Sequence, residues 1–158
     1  MINKVPTSRQ IENKLSQRIK AFYQEQINFT PQKVSCKLFS KYLAIIAENA
    51  ITPIESNLWK FGQKKLSERV RSQINTNLKP ELSKLIAETL NVEVIELLNG
   101  TAFSTNRCIT LAILAQPPQI SQRYNGVKRG SEPKEIFSAL TSEPLQDSDC
   151  AEHTPRQL

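Results

Sequence analysis

The sequence predicts an α+β fold of two layers, in the order α-β-β-α-β-β: a four-stranded, mainly antiparallel sheet with helices on one face. Three observations carry this prediction. Apolar residues recur at steps of three and four over residues 11–27 and again over 66–90, the signature of two amphipathic helices. Each helical pattern adjoins a pair of short β-type runs, close enough in sequence to form a hairpin. All of this lies within residues 1–116, a length that supports one domain with a core of its own.

The opening helix places Ile11, Leu15, Ile19, Phe22, Tyr23 and Ile27 on one stripe. Thr7 or Ser8 caps its start, and the "NFTP" stretch stops it, because Pro31 disfavours helix in the residue before it. Val34, Cys36 and Leu38 then alternate with Lys33, Ser35 and Lys37, as in a half-buried strand. A turn near Ser40-Lys41 leads into a second strand, Tyr42 to Glu48, apolar on both faces and so expected at the sheet centre.

Leu66, Val70, Ile74, Leu78, Leu82, Ile86 and Leu90 stand four apart. A strict four-residue step drifts by about 40° per repeat on an α-helix, so the stripe winds around the axis unless the helix bends. Pro80 offers a bend, or else a boundary between two helices near 78–80. Asn91 suits a left-handed C-cap. Residues 92–98 and 108–115 read as the last two strands, joined by "NGTAFSTNR" with a turn expected at Asn99-Gly100.

From Gln116 onward Pro, Ser, Gly, Gln and charged residues dominate. Such a composition buries too little apolar area to offset the entropy of ordering, so residues 117–158 read as a largely disordered tail. Within it, "PKEIFSAL" (133–140) spaces Ile136, Phe137 and Leu140 as a short docking helix would.

Composition narrows the function. The longest apolar run, "YLAIIA", is far short of the roughly 20 residues of a membrane span, and the polar N-terminus lacks a signal segment, so a cytoplasmic protein is expected. Cys36, Cys108 and Cys150 lie far apart, and the single histidine, His153, falls in the tail. That leaves no expected zinc site, Ser-His or Cys-His pair, or disulfide framework, and Cys36 and Cys108 read as small core residues. The glycines form no phosphate loop, and no cofactor is expected. Net charge is +6, and residues 1–116 carry 16 Lys/Arg against 9 Asp/Glu. A basic body suits a phosphate-rich or acidic partner.

Two glutamates, Glu48 and Glu55, sit near the end of the second strand and invite reading as a catalytic pair. The spacing Thr52-Pro53-x-Glu55 instead writes a capping box with proline at the first helical position. The cap accounts for all three residues without a substrate, and the expectation is a protein that is not an enzyme. A basic cluster, Lys60, Lys64, Lys65, Arg69 and Arg71, lies just beyond. With Lys14, Arg18 and Lys20 of the first helix it is a candidate anion- or partner-binding face, with Tyr42 and Trp59 as candidate base-stacking aromatics. A basic nucleic-acid-binding protein using residues 60–71 is therefore the alternative function.

Several local features, taken jointly over residues 7 to about 115, resemble the MpsC family. They are the leading helix, the Pro31-x-x-Val34 approach to the first strand, and "ITPIESNL" after the second. Gly62, Val70-Arg71, "LKPELSKLIAETLNVEV" and the closing strand complete the match. Leu90-Asn91 stands where the family usually has Thr-Gly, and Gly100 where it often has an acid. The resemblance implies a non-catalytic, cytoplasmic accessory or regulatory module, linked to sodium-translocating, membrane-potential-generating or bicarbonate-linked energisation. It implies a protein partner, such as a membrane transport complex met at its cytoplasmic side. The expectation is also a homo-oligomer, joined through an exposed sheet edge or helix face.

Overall fold

The computed structural model describes residues 4–121 of the chain. Most of the expected tail lies outside the described residues, including the 133–140 segment, Cys150 and His153. The elements run α1 (Ser8–Ile27), β1 (Lys33–Phe39), β2 (Tyr42–Glu48), α2 (Pro53–Lys60), α3 (Lys64–Leu90), β3 (Val94–Ala102) and β4 (Arg107–Leu114). A single 3-10 turn, Phe103–Thr105, links the last two strands. The four strands form one antiparallel sheet in the order β1-β2-β4-β3, so β2 and β4 are central.

Helix α1 starts with a full capping box between Thr7 and Gln10 and ends at Asn28 in the left-handed region. Its buried stripe, from Ile11 to Tyr23, lies on the sheet beside β1. Glu12, at the edge of that stripe, accepts the Leu38 N–H at 3.0 Å and ties the helix to the edge strand. The chain after β4 returns toward this end of the domain, where the Ser121 N–H donates to the Pro6 carbonyl.

The structure differs from the sequence-based expectation in three places. The helical segment expected between the hairpins is a pair, α2 and α3, separated at Phe61–Gln63. Gly62 adopts φ 80°, a conformation open to glycine and costly for other residues. The second departure concerns the buried face of α3, which passes through Pro80 as one helix, the first of the two readings offered for it. Its four-residue stripe does wind. At about 100° per residue, Leu66 stands about 160° away from Leu82, whereas Arg71 is only about 20° away. Leu66 is therefore exposed, while Ser67 and Arg71 join Leu78, Leu82, Ile86 and Leu90 on the buried face.

Thirdly, Asn99-Gly100 is not the turn. Strand β3 continues through it, with Gly100 opposite Ile109, and the Thr110 hydroxyl donates to Asn99 Oδ1 at 2.8 Å. The reversal falls at 103–106 instead, where Asn106 takes the left-handed conformation. Asn106 also receives the Asn49 N–H on its carbonyl and the Ile51 N–H on its side chain. Those bonds fasten the turn to the segment leading into α2.

The core occupies one face of the sheet. Val34, Cys36, Leu43, Ile45, Ala47, Leu97, Cys108, Ala112 and Leu114 are buried there with the inner faces of α1 and α3. The opposite face has no helix against it among the described residues.

Candidate functional site

The geometry around α2 begins with its cap. The Thr52 hydroxyl donates to Glu55 Oε2 at 2.6 Å, and the Thr52 N–H donates to the same oxygen at 3.0 Å. Thr52 Oγ1 in turn receives the Glu55 N–H, with Pro53 at the first helical position. Glu55 does more than cap. It is fully buried, and Arg71 grips it through Nε at 2.6 Å and Nη2 at 2.7 Å. Arg71 Nη2 also donates to the Ala50 carbonyl, and the Ser67 hydroxyl donates to the Glu55 carbonyl. The carboxylate thus holds four donors and presents no oxygen to a substrate. Its desolvation cost is offset only while the pair remains intact.

Glu48, the other acid, faces away on β2, where it pairs across the sheet with Arg107 at 3.6 Å. Glu48 and Glu55 are each engaged by an arginine, and the geometry does not join them as an acid–base pair.

The expected basic face is reduced and redrawn. Arg71 does not belong to it: at 2% exposure it is a core residue committed to Glu55. Nor does Arg18 of α1 join it, because Arg18 donates to Thr89 at 2.6 Å, near the far end of α3; Lys14, one turn earlier on α1, is exposed. Thr89 lies 25 residues beyond Lys64, roughly 37 Å at an α-helical rise. Lys20 is bonded to the Gln32 carbonyl. What remains is Lys60, Lys64, Lys65 and Arg69, all exposed around the α2–α3 elbow. Interleaved with them are large apolar side chains facing solvent: Ile54 at 70%, Phe61 at 80% and Leu66 at 45% exposure.

Neither candidate aromatic stands free. Trp59 stacks on Phe103 at 4.5 Å and 4°, with Lys64 Nζ 5.0 Å from its ring centre. Tyr42 lies against Phe39 on the outer sheet face. Both cysteines within the described residues are buried. Burial pushes the Cys36 thiol up to about 11 and also raises that of Cys108, which keeps both protonated and weakly nucleophilic near neutral pH. A polar groove of about 600 Å³ runs between α3 and β3, lined in part by Arg71, Asn75, Lys79, Asn99 and Phe103. Arg71 Nη1 beside it has no hydrogen-bond partner among the described residues.

The second surface is the outer face of the sheet. Strand register aligns four cross-strand rows: Phe39–Tyr42–Ile113–Glu96, Lys37–Ala44–Leu111–Leu98, Ser35–Ile46–Ile109–Gly100 and Lys33–Glu48–Arg107–Ala102. The centre is apolar, and Phe39, Ile46, Leu98 and Ile109 are exposed. One edge carries Lys33 and Lys37 and the other carries Glu96.

Comparison with protein families now bears on this fold. The model of the family described as "Na+-translocating membrane potential-generating system (MpsC)" matches residues 7–116. The chain belongs to the MpsC family. In this MpsC-family chain the matched span runs from the Thr7 cap of α1 to just past β4, so it includes every helix and strand described above. No curated protein and no solved structure matches the chain. Among the described residues, no helix is long and apolar enough to cross a membrane.

Sequence reasoning missed the Glu55–Arg71 pair, the exposed apolar residues of the elbow and the open sheet face. The first was within reach, because helical phase places Arg71 beside Leu78 and Leu82. The open face was not, because alternation identifies apolar side chains without saying what covers them.

Proposed function

We propose that this MpsC-family chain is a non-catalytic accessory component of a membrane-potential-generating system. It works at the cytoplasmic side as a dimer built on the outer face of its sheet. The uncovered apolar sheet face carries this reading. Its centre leaves Phe39, Ile46, Leu98 and Ile109 exposed within a rim of charged side chains, the pattern of an interaction surface. Four strands about 4.8 Å apart and four rows about 6.8 Å apart give roughly 500 Å² per copy. Two copies then reach roughly the 1,000 Å² that a specific interface needs.

A second copy fits in charge as well as in size. A two-fold axis along the strands lays β1 of one copy over β3 of the other. That places Lys37 one row from the partner's Glu96 and Glu48 over the partner's Arg107, each twice by symmetry. The sheet edges suit self-association less well. Glu12 occupies the Leu38 N–H on the β1 side, and β3 has a register shift between Val94 and Glu96.

Sedimentation of the full chain at micromolar concentration tests the reading. Wild type is expected to sediment as a dimer and an Ile109→Lys variant as a monomer. A monomeric wild type, or a variant that stays dimeric, overturns the sheet-face dimer. The role in the membrane system is tested in the native host. Loss of the chain is expected to lower sodium-dependent membrane potential, with wild type restoring it; an unchanged potential would count against that role.

A further inference from the structure

We infer that the α2–α3 elbow is a docking element for an anionic phospholipid surface. The observation is an inversion of side-chain chemistry within a short stretch. Inside the elbow sit the groups that normally face water: Glu55, Ser67 and Arg71, all buried and bonded to one another. Outside it sit the groups that normally face a core. Ile54 on α2 and Phe61 at its C-cap stand two turns apart on one side, with the half-buried Leu58 between them, and Leu66 follows in the first turn of α3. At 80% exposure Phe61 has almost nothing packed around it, so it projects from the turn at Gly62.

Charge decides what such a projection meets. With Arg71 and Glu55 neutralised internally, the outward charges of residues 53–71 are Lys60, Lys64, Lys65 and Arg69 against Glu68, a balance of +3. No acidic residue stands in the first turn of α3, and no side chain caps it, so its free N–H groups add to the positive field. Protruding phenyl and branched aliphatic groups ringed by lysine are the chemistry of an interfacial anchor. The apolar tips enter the acyl boundary while the ammonium groups stay at the headgroups.

An acidic protein partner would more naturally offer its anchors a shaped pocket, whereas a bilayer accepts a projecting corner without one. Nucleic acid would use the cations and leave Phe61 in water. Each surface cation contributes about fivefold to partitioning onto an anionic membrane, and insertion of a phenylalanine about tenfold. The elbow lies apart from the outer sheet face, and its lipid affinity does not depend on dimerisation.

Co-sedimentation of the full chain with vesicles tests this. One set is phosphatidylcholine alone; the other adds phosphatidylglycerol at one part in four. Binding is expected on the anionic vesicles, at least tenfold weaker on the neutral ones, and weakened by salt. Phe61→Ser is expected to lower it about tenfold and Lys64→Gln/Lys65→Gln about twentyfold. All three positions are exposed, and circular dichroism should match wild type. Equal binding to both vesicle types overturns the proposal, as does absence of binding to either. Binding that needs the lysines but ignores Phe61, together with salt-sensitive binding to an oligonucleotide, overturns it in favour of nucleic acid. The Ile109→Lys variant separates this site from the sheet face, since it is expected to retain vesicle selectivity as a monomer.

Discussion

The two halves of α3 bury opposite kinds of side chain. From Leu78 onward the inner face is Leu78, Leu82, Ile86 and Leu90, held to the sheet by apolar area. Before Leu78 the same face presents Ser67 and Arg71, held by directed bonds to Glu55 and Ala50. Apolar area is non-directional and tolerates many arrangements, whereas a buried ion pair tolerates few. The polar half therefore fixes where α2 sits, and it does so without using Ile54, Phe61 or Leu66. Those residues stay available outside because the elbow does not need them inside.

The contrast can be broken first at the polar half. Arg71→Leu leaves the Glu55 carboxylate buried without its cation and should cost about 3–5 kcal/mol in urea unfolding. A Glu55→Leu/Arg71→Leu double variant should cost less than Arg71→Leu alone. A loss below about 1 kcal/mol for Arg71→Leu would show that the first half is not held by this pair. The apolar half is probed by Ile86→Ala, at a fully buried position, where about 2–5 kcal/mol is expected from lost area and the cavity left behind. Unlike the Arg71 loss, this one should not be relieved by any second substitution at Glu55. The smallest effect belongs to the outer surface. Phe61→Ser should change stability by no more than about 0.5 kcal/mol, because almost none of the ring is packed. A larger loss would mean that the elbow depends on its outward residues after all.

Much of the fold was legible in the sequence. The α1 stripe, the capping box at Thr52 and the β2 run from Tyr42 to Glu48 are each written in local periodicity or spacing, and these local preferences agree with the final packing. The break at Gly62 and the turn at Asn106 were less legible, since Asn99-Gly100 is the stronger local turn signal. It was overridden by pairing of β3 along β4 and by the contacts of Asn106 with the segment before α2. The candidate site divided in the same way. Lys60, Lys64, Lys65 and Arg69 fell where the charge pattern put them, while Arg71 was drawn inward by its helical phase. Exposure of Phe61 and of the outer sheet face is a property of the assembled layers, which no window of sequence contains.

The left-handed turns carry a further consequence. Among the described residues, the positive-φ positions besides Gly62 are Asn28, Ser40, Asn49, Asn91 and Asn106. Glycine would adopt these conformations without strain, yet it would also widen the range of shapes open to the unfolded chain. Asparagine accepts a little local strain and keeps that range narrower. The loops are thereby partly disciplined before folding begins, and among the described residues the one reversal left to glycine is the corner from which Phe61 projects.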